Sequence, residues 1–141
     1  MKERVLILTL AAVAVFSVSA AAQRIEDASR KTIGRISSSG TVEDGSGRTL
    51  GYFLENGRIE NSSRTTLGYI SSSGTVEDAS RRTLGYILDN GRVESSSRST
   101  LGYVLSNGRV EDASRKTLGY AEGVSQRHAA MFFFFFFGKQ N

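Results

Sequence analysis

Six consecutive phenylalanines, Phe132 to Phe137, stand near the end of this 141-residue chain, introduced by Ala129, Ala130 and Met131 and followed by Gly138 and Lys139. A helix through them is apolar on every side, and such a helix needs a protein shell or lipid around it. Nothing near it in sequence is apolar enough to serve as a second helix. What precedes it is a tandem β repeat, so the expected architecture is a ring of repeats plugged by this segment.

The repeat unit is seventeen residues long, and from Gln23 it runs over 23–39, 40–56, 57–73, 74–90, 91–107 and 108–124. A fixed period of this kind marks a repeat architecture. The fourth unit, GTVEDASRRTLGYILDN, serves as the consensus, and positions are counted from it as places 1 to 17. Glutamate at place 4 (Glu26, Glu43, Glu60, Glu77, Glu94, Glu111) and glycine at place 12 (Gly34, Gly51, Gly68, Gly85, Gly102, Gly119) occur in all six units. Each unit offers two short extended pieces, one like R-V-E and one like T-L-G-Y-I-L, with turn residues between them.

Asn56-Gly57, Asn90-Gly91 and Asn107-Gly108 predict two-residue hairpin loops joining the second strand of one unit to the first of the next. Such a loop sets place 16 opposite place 2. Glu55 then faces Arg58 and Asp89 faces Arg92, while Ser38 meets Thr41 and Ser72 meets Thr75; Ser106 with Arg109 breaks the match. This register puts places 3, 11, 13 and 15 on the core face, which in the fourth unit means Val76, Leu84, Tyr86 and Leu88, and leaves the other face wet. A glycine kept inside a strand marks sharp bending or the close approach of other atoms.

A row of hairpins keeps free edges unless it closes, here by pairing Arg24 to Asp27 with Thr117 to Tyr120. A solenoid, with units stacked about 4.8 Å apart, would pile the place-4 glutamates in one column and the place-8 arginines (Arg30, Arg64, Arg81, Arg98, Arg115) in another, and like charges that close repel. Outer-membrane strands need about nine to eleven residues, longer than these. Six units carry five inter-unit turns, so the ring has five petals, or six if the end strands pair. Arg35 stands where the other units have tyrosine (Tyr52, Tyr69, Tyr86, Tyr103, Tyr120).

Residues 1–22 have Lys2 and Arg4, an apolar stretch from Val5 to Val18 and the small residues Ser19 to Ala22, the build of a secretory signal peptide. The expected mature chain begins at Gln23 and is secreted or held in the periplasm or envelope. Removing Lys2, Glu3 and Arg4 lowers the formal net charge from +4 to +3. The remaining charges alternate along the chain rather than forming a basic face with interleaved aromatics, which argues against a nucleic-acid partner. With no cysteine and one histidine, His128, the chain has no disulfide framework and little for a transition metal, so no cofactor is expected.

Together, the signal peptide, the G-R-V-E-D and T-L-G-Y-I elements with N-G turns, and the terminal G-V-S-Q-R-H-A-A-M-F-F-F-F-F-F segment resemble the five-fold β-flower proteins of bacteria over the whole mature chain. The resemblance implies a shallow ring of hairpin petals around a hydrophobic segment. It supplies no activity and no functional residue.

As a helix, Gly123 to Phe137 spans about 22 Å at 1.5 Å per residue, enough to cross a shallow ring and too short for a bilayer. Met131 and Phe132, Phe133, Phe134, Phe135, Phe136 and Phe137 are the expected structural plug of a C-terminal segment over 125–141. Two other readings stay open for the run: contact with a membrane or partner, and self-association through a β-prone stretch. Candidate chemistry is sparse. The neighbouring acids Glu26-Asp27, Glu43-Asp44, Glu77-Asp78 and Glu111-Asp112 point to opposite faces of a strand and do not converge. The serines lack a base, and turn chemistry accounts for them. The tyrosines are assigned to packing, His128 to a helix or loop, and Glu43 to Gly47 lacks the ligand series of a calcium loop. The expectation is a non-enzymatic binding or structural module; the alternative is a lipid-associating protein that inserts the phenylalanine end, as a monomer or homo-oligomer.

Overall fold

The structure, a computed structural model, describes residues 23–138. The expected signal peptide and residues 139–141 lie outside the described residues. Each repeat forms one antiparallel hairpin: β1 (Gln23–Asp27) with β2 (Thr32–Ile36), β3 (Thr41–Asp44) with β4 (Thr49–Phe53), and β5 (Arg58–Asn61) with β6 (Thr66–Ile70). The series continues with β7 (Thr75–Asp78) and β8 (Thr83–Ile87), β9 (Arg92–Ser95) and β10 (Thr100–Val104), and β11 (Arg109–Asp112) and β12 (Thr117–Tyr120). Neighbours in sequence are neighbours in the sheet. β1 pairs with β12 through Glu26↔Tyr120 and Asp27↔Gly119, so the barrel closes on all twelve strands. The end strands do pair, and the ring has six petals. Closure removes the free edges that short hairpins would otherwise expose.

The strand register corrects the sequence expectation by one residue. Ser37 N–H donates to the Thr41 carbonyl and Gly40 N–H to the Ser37 carbonyl, both at 3.0 Å. The loop therefore holds places 16, 17 and 1, and ends on a glycine at positive φ (Gly40, Gly57, Gly74, Gly91 and Gly108, between 92° and 94°). This is the three-residue hairpin, a tight turn followed by one left-handed residue. Place 15, not place 16, faces place 2. Since side chains alternate between faces, a one-residue slip exchanges core and solvent. The core is built from place 3 (Ile25, Val42, Ile59, Val76, Val93, Val110) and place 14 (Ile36, Phe53, Ile87, Val104). Leu84, Tyr86 and Leu88, expected inside, are only half-buried. The asparagine before each glycine acts through its side chain: Asn56, Asn90 and Asn107 Oδ1 accept the N–H of Arg58, Arg92 and Arg109 at 3.0 Å.

The turn inside each repeat repeats the construction with arginine in the glycine's position. Arg30, Arg64, Arg81, Arg98 and Arg115 have φ between 71° and 74°, and Gly47 takes the place in the second repeat at 88°. Place-5 side chains hold these turns; Asp78 Oδ1, for one, accepts the N–H of Ser80 and of Arg82 at 2.9 Å. On the returning strand the pairing skips place 11, as between Val76↔Gly85 and Glu77↔Thr83, and the same bulge recurs in all six hairpins. A bulge leaves one residue outside strict alternation. It frees Ile33, Leu50, Leu67, Leu84, Leu101 and Leu118 to pack over one end of the core.

After β12 the chain enters the barrel. Ser125 Oγ accepts His128 N–H at 3.1 Å and starts α1 (Gln126–Ala130). The helix then widens over Met131–Phe135, where Phe136 N–H donates to the Met131 carbonyl at 2.9 Å, five residues back. The single α-helix expected from Gly123 to Phe137 is therefore replaced by a short α-helix and one wide turn.

The two turn classes differ in crowding. A Cβ on Gly74 would collide with the Ile87 carbonyl oxygen, whereas one on Gly47 meets nothing within 4 Å. Gly47→Ala should cost about 1 to 2 kcal/mol, the left-handed penalty alone. Gly74→Ala should cost about 3 kcal/mol or more, because steric conflict is added to that penalty. Urea denaturation of the two variants beside the parent chain measures the difference.

Candidate functional site

The six phenylalanines and the six place-12 glycines meet one to one. Phe132 lies against Gly34 of the first repeat, Phe133 against Gly119 of the sixth and Phe134 against Gly102 of the fifth. Phe135 lies against Gly85, Phe136 against Gly68 and Phe137 against Gly51, completing the circuit. A Cβ on Gly102 would sit 2.6 Å from Phe134 Cζ, and one on Gly51 or Gly68 would sit 2.8 Å from the facing ring. Five of these glycines also have a place-4 carbonyl oxygen in the same space, and at Gly34 the Glu43 carbonyl stands 3.0 Å away. An α-helix advances about 100° per residue, so six residues would pass through about 1.7 turns. A six-fold shell requires one sixth of a turn per residue. The hydrogen bond spanning five residues widens the helix in that direction. Met131, Phe132 and Phe137 are buried, and Phe133 to Phe136 are half-buried toward the rim of the intra-repeat turns.

Outside the wall, alternation sets places 2, 4 and 13 on the opposite face, where they form a charged belt. The left-handed backbone at place 8 carries each arginine back over the tyrosine of the preceding repeat. Arg64, Arg81, Arg98 and Arg115 lie 3.6 to 3.7 Å above the ring centres of Tyr52, Tyr69, Tyr86 and Tyr103, and Arg30 closes the circle over Tyr120 at 3.6 Å. The same guanidinium donates to the place-4 glutamate, as Arg98 Nη1 does to Glu94 Oε1 at 2.9 Å. The other carboxylate oxygen accepts two bonds from a place-2 arginine, here Arg92 Nε at 3.0 Å and Nη2 at 2.7 Å. Glu60, Glu94 and Glu111 each hold two arginines and are only 2 to 3% exposed. Their partners hold their carboxyls below the ordinary range, Arg64, Arg98 and Arg115 chief among them. Charge-assisted bonds on both oxygens offset the cost of burying a carboxylate.

At the rim of the inter-repeat turns, a cleft of about 430 Å³ opens between α1 and the turns after β4 and β6, floored by Phe53, Ile59, Ile70 and Met131. His128 stacks on Phe53 with ring centres 4.8 Å apart, and burial lowers its pKa. Arg127 pins α1 to the ring by donating to the Ser71 and Ser72 carbonyls at 2.9 and 2.8 Å.

Plug and glycines are thus brought into contact, and the paired acids diverge, glutamate to the belt and aspartate to its turn. The belt itself was missed by sequence reasoning, which assigned the tyrosines to the core. A signal for it was present: the only repeat without a place-13 tyrosine, the first, is followed by the only repeat without a place-8 arginine, the second.

A closed up-and-down ring of six hairpins whose interior is occupied by the chain's own aromatic segment defines the class, a plugged β ring. A family model described as 5-fold beta-flower protein matches residues 22–137, and the chain belongs to this family. The family's description counts five, whereas this chain closes six repeats. Neither the comparison with curated proteins nor that with solved structures finds a match.

The glutamates make stability acid-dependent with a definite sign. Their folded-state pKa values lie below the ordinary 4.5, so their contribution is complete above that value and is lost as pH falls through the lowered ones. His128, also lowered from 6.5, adds an earlier loss of the same sign below its unfolded value. Thermal melts from about pH 7 to about pH 3 should show Tm falling throughout, and steepest in the carboxylate range. Replacing Glu60, Glu94 and Glu111 together by glutamine should lower Tm at neutral pH and flatten that acid limb.

Proposed function

We propose that the protein is a non-enzymatic module of the cell envelope or extracellular space that works by presenting the outer wall and rims of a rigid plugged ring. The observation that carries this reading is the filled interior. One phenylalanine ring occupies the space before each place-12 glycine, and Ala129, Ala130 and Met131 are buried in the same core. Recognition therefore falls to the belt, the turns and the rim clefts. The export signal read from residues 1–22 supports the compartment.

Circular-dichroism melts, without detergent, of the chain from Gln23 to Asn141 and of one stopped at Ala130 test the scaffold. A buried Phe→Ala change costs about 3 to 5 kcal/mol, against a total stability of about 5 to 15 kcal/mol. The shortened chain is therefore expected to be unfolded or to melt far lower, and equal melting would overturn the reading. Fractionation of a bacterial host producing the full chain should place a product beginning at Gln23 outside the cytoplasm; an unprocessed cytoplasmic product would remove the compartment.

One observation favours a second reading. The half-buried rings of Phe133 to Phe136 open toward a rim lined by the place-11 aliphatic residues, and that rim carries exposed Lys31, Arg48, Arg82 and Lys116 at place 9. The aspartates at place 5 of the same turns balance these bases, Asp44 with Arg48 and Asp78 with Arg82 as ion pairs, so the apolar end itself is what suits a bilayer surface. Co-sedimentation with vesicles, neutral as well as anionic, is the result this reading expects, and its absence with both leaves the first reading alone.

A further inference from the structure

Five of the six junctions between repeats are made twice, by the sheet ladder and by the chain itself as it runs from one repeat into the next. The sixth, between β12 and β1, is held by non-covalent contacts alone. Its ladder is also the shortest. Each of the other five pairs place 12 with place 5, place 13 with place 4 and place 14 with place 3, as in Gly34↔Asp44, Arg35↔Glu43 and Ile36↔Val42. The closing junction keeps the first two, as Asp27↔Gly119 and Glu26↔Tyr120, and lacks the third. The residues that would make the third are Ile25 and Ala121, and Ala121 is the smallest side chain at place 14 in the six repeats.

Side chains on both faces of the wall make up for this. On the outer face Arg30 lies over Tyr120 at 3.6 Å, like its counterparts elsewhere in the belt, and adds an ion pair with Glu122 at 3.2 Å. The two members of that pair are 51% and 60% exposed, and an exposed ion pair contributes little. The inner face carries the larger effect. Phe132 packs on Gly34 of the first repeat and Phe133 on Gly119 of the sixth, so two successive residues stand on opposite sides of the closing junction. Their rings meet edge to face, with centres 5.6 Å apart and planes at 69°, a favoured geometry for an aromatic pair. From there the run leads away through the fifth, fourth and third repeats to Phe137 on Gly51 of the second. The one junction that its successive rings do not straddle, between the first and second repeats, is joined by the chain itself through the turn over 37–40.

We propose that the step from Phe132 to Phe133 is the latch of the ring: the peptide between them supplies, from inside, the covalent continuity that the wall lacks between β12 and β1. The ring then opens first at this junction when the latch is loosened. An opened junction presents two free strand edges, the kind of surface that accepts a strand from another chain. The latch keeps both edges paired with each other. It concerns closure of the ring and stands apart from the reading of the outer wall as a recognition surface.

Amide hydrogen exchange resolved by residue, on the chain from Gln23 to Asn141 and on its Phe133→Ala and Phe135→Ala variants, tests the latch. Phe135 faces Gly85 among covalently joined repeats, so its variant removes the same side chain away from the closing junction. Phe133→Ala should speed exchange at Glu26 and Tyr120 by roughly tenfold or more beyond any change at the equivalent pairs Tyr69 with Glu77 and Tyr86 with Glu94. Phe135→Ala should change all three pairs alike. Where Phe133→Ala leaves no folded population, Phe133→Leu gives the same comparison with a smaller loss of packing. Glu122→Gln removes the exposed ion pair and should keep the exchange profile of the parent. A uniform rise in the Phe133 variant overturns the proposal. So does selective loosening of Glu26 and Tyr120 in the Phe135 or Glu122 variant that equals the effect at Phe133.

Discussion

Each place-12 glycine leaves a gap in the wall that a Cβ would close, and each gap receives one ring of the C-terminal segment. The match works in both directions. A side chain at place 12 would push a ring out of the interior, and loss of a ring would leave a void against backbone with no side chain available to fill it. Stoichiometry then fixes the rest: six repeats need six rings, the rings are consecutive in sequence, and consecutive rings reach consecutive repeats more readily if the helix turns less per residue than an α-helix does. The wide turn from Met131 to Phe135 is therefore a consequence of the shell around it.

The belt solves a different problem on the outer face. Five arginines occupy a left-handed backbone conformation that ordinary residues avoid. Tertiary contacts account for their tolerance there, since that backbone directs each guanidinium over a tyrosine of the preceding repeat and onto a glutamate of its own. Neighbouring repeats are thus linked by side chains as well as by the sheet ladder. Where the second repeat has Gly47, the turn carries no strain and the link is missing, so the seam between the first and second repeats is the place where the ring's outer symmetry is broken.

Much of the architecture was legible from period and composition. Recurrence of Glu at place 4 and Gly at place 12 located the repeats, free edges and like-charged columns argued for closure, and the all-round apolar run called for a shell that the ring could supply. The error was one of register. The Asn-Gly dipeptides were read as the complete loop, and the paired residues Glu55 with Arg58 and Asp89 with Arg92 agreed with that reading. In the structure Arg58 and Arg92 pair instead with Glu60 and Glu94 of their own strands, so the charge match at the turn was no guide to register. The side-chain face is one: a two-residue loop puts glycine outside and tyrosine inside, and only the plug, packed against the glycines, decides between them.

The sequence by itself determined the number of units, the turn residues and the chemistry available to each place, because these follow from local backbone preference and from the seventeen-residue period. Only the tertiary structure decided which face is core, that the ring closes on six petals, that the aromatic helix widens, and which arginine covers which tyrosine. Those four outcomes depend on contacts between residues far apart in the chain, such as Arg30 with Tyr120 and Phe133 with Gly119. No local pattern encodes a ring's circumference; it is set where the last strand meets the first around a plug of matching size.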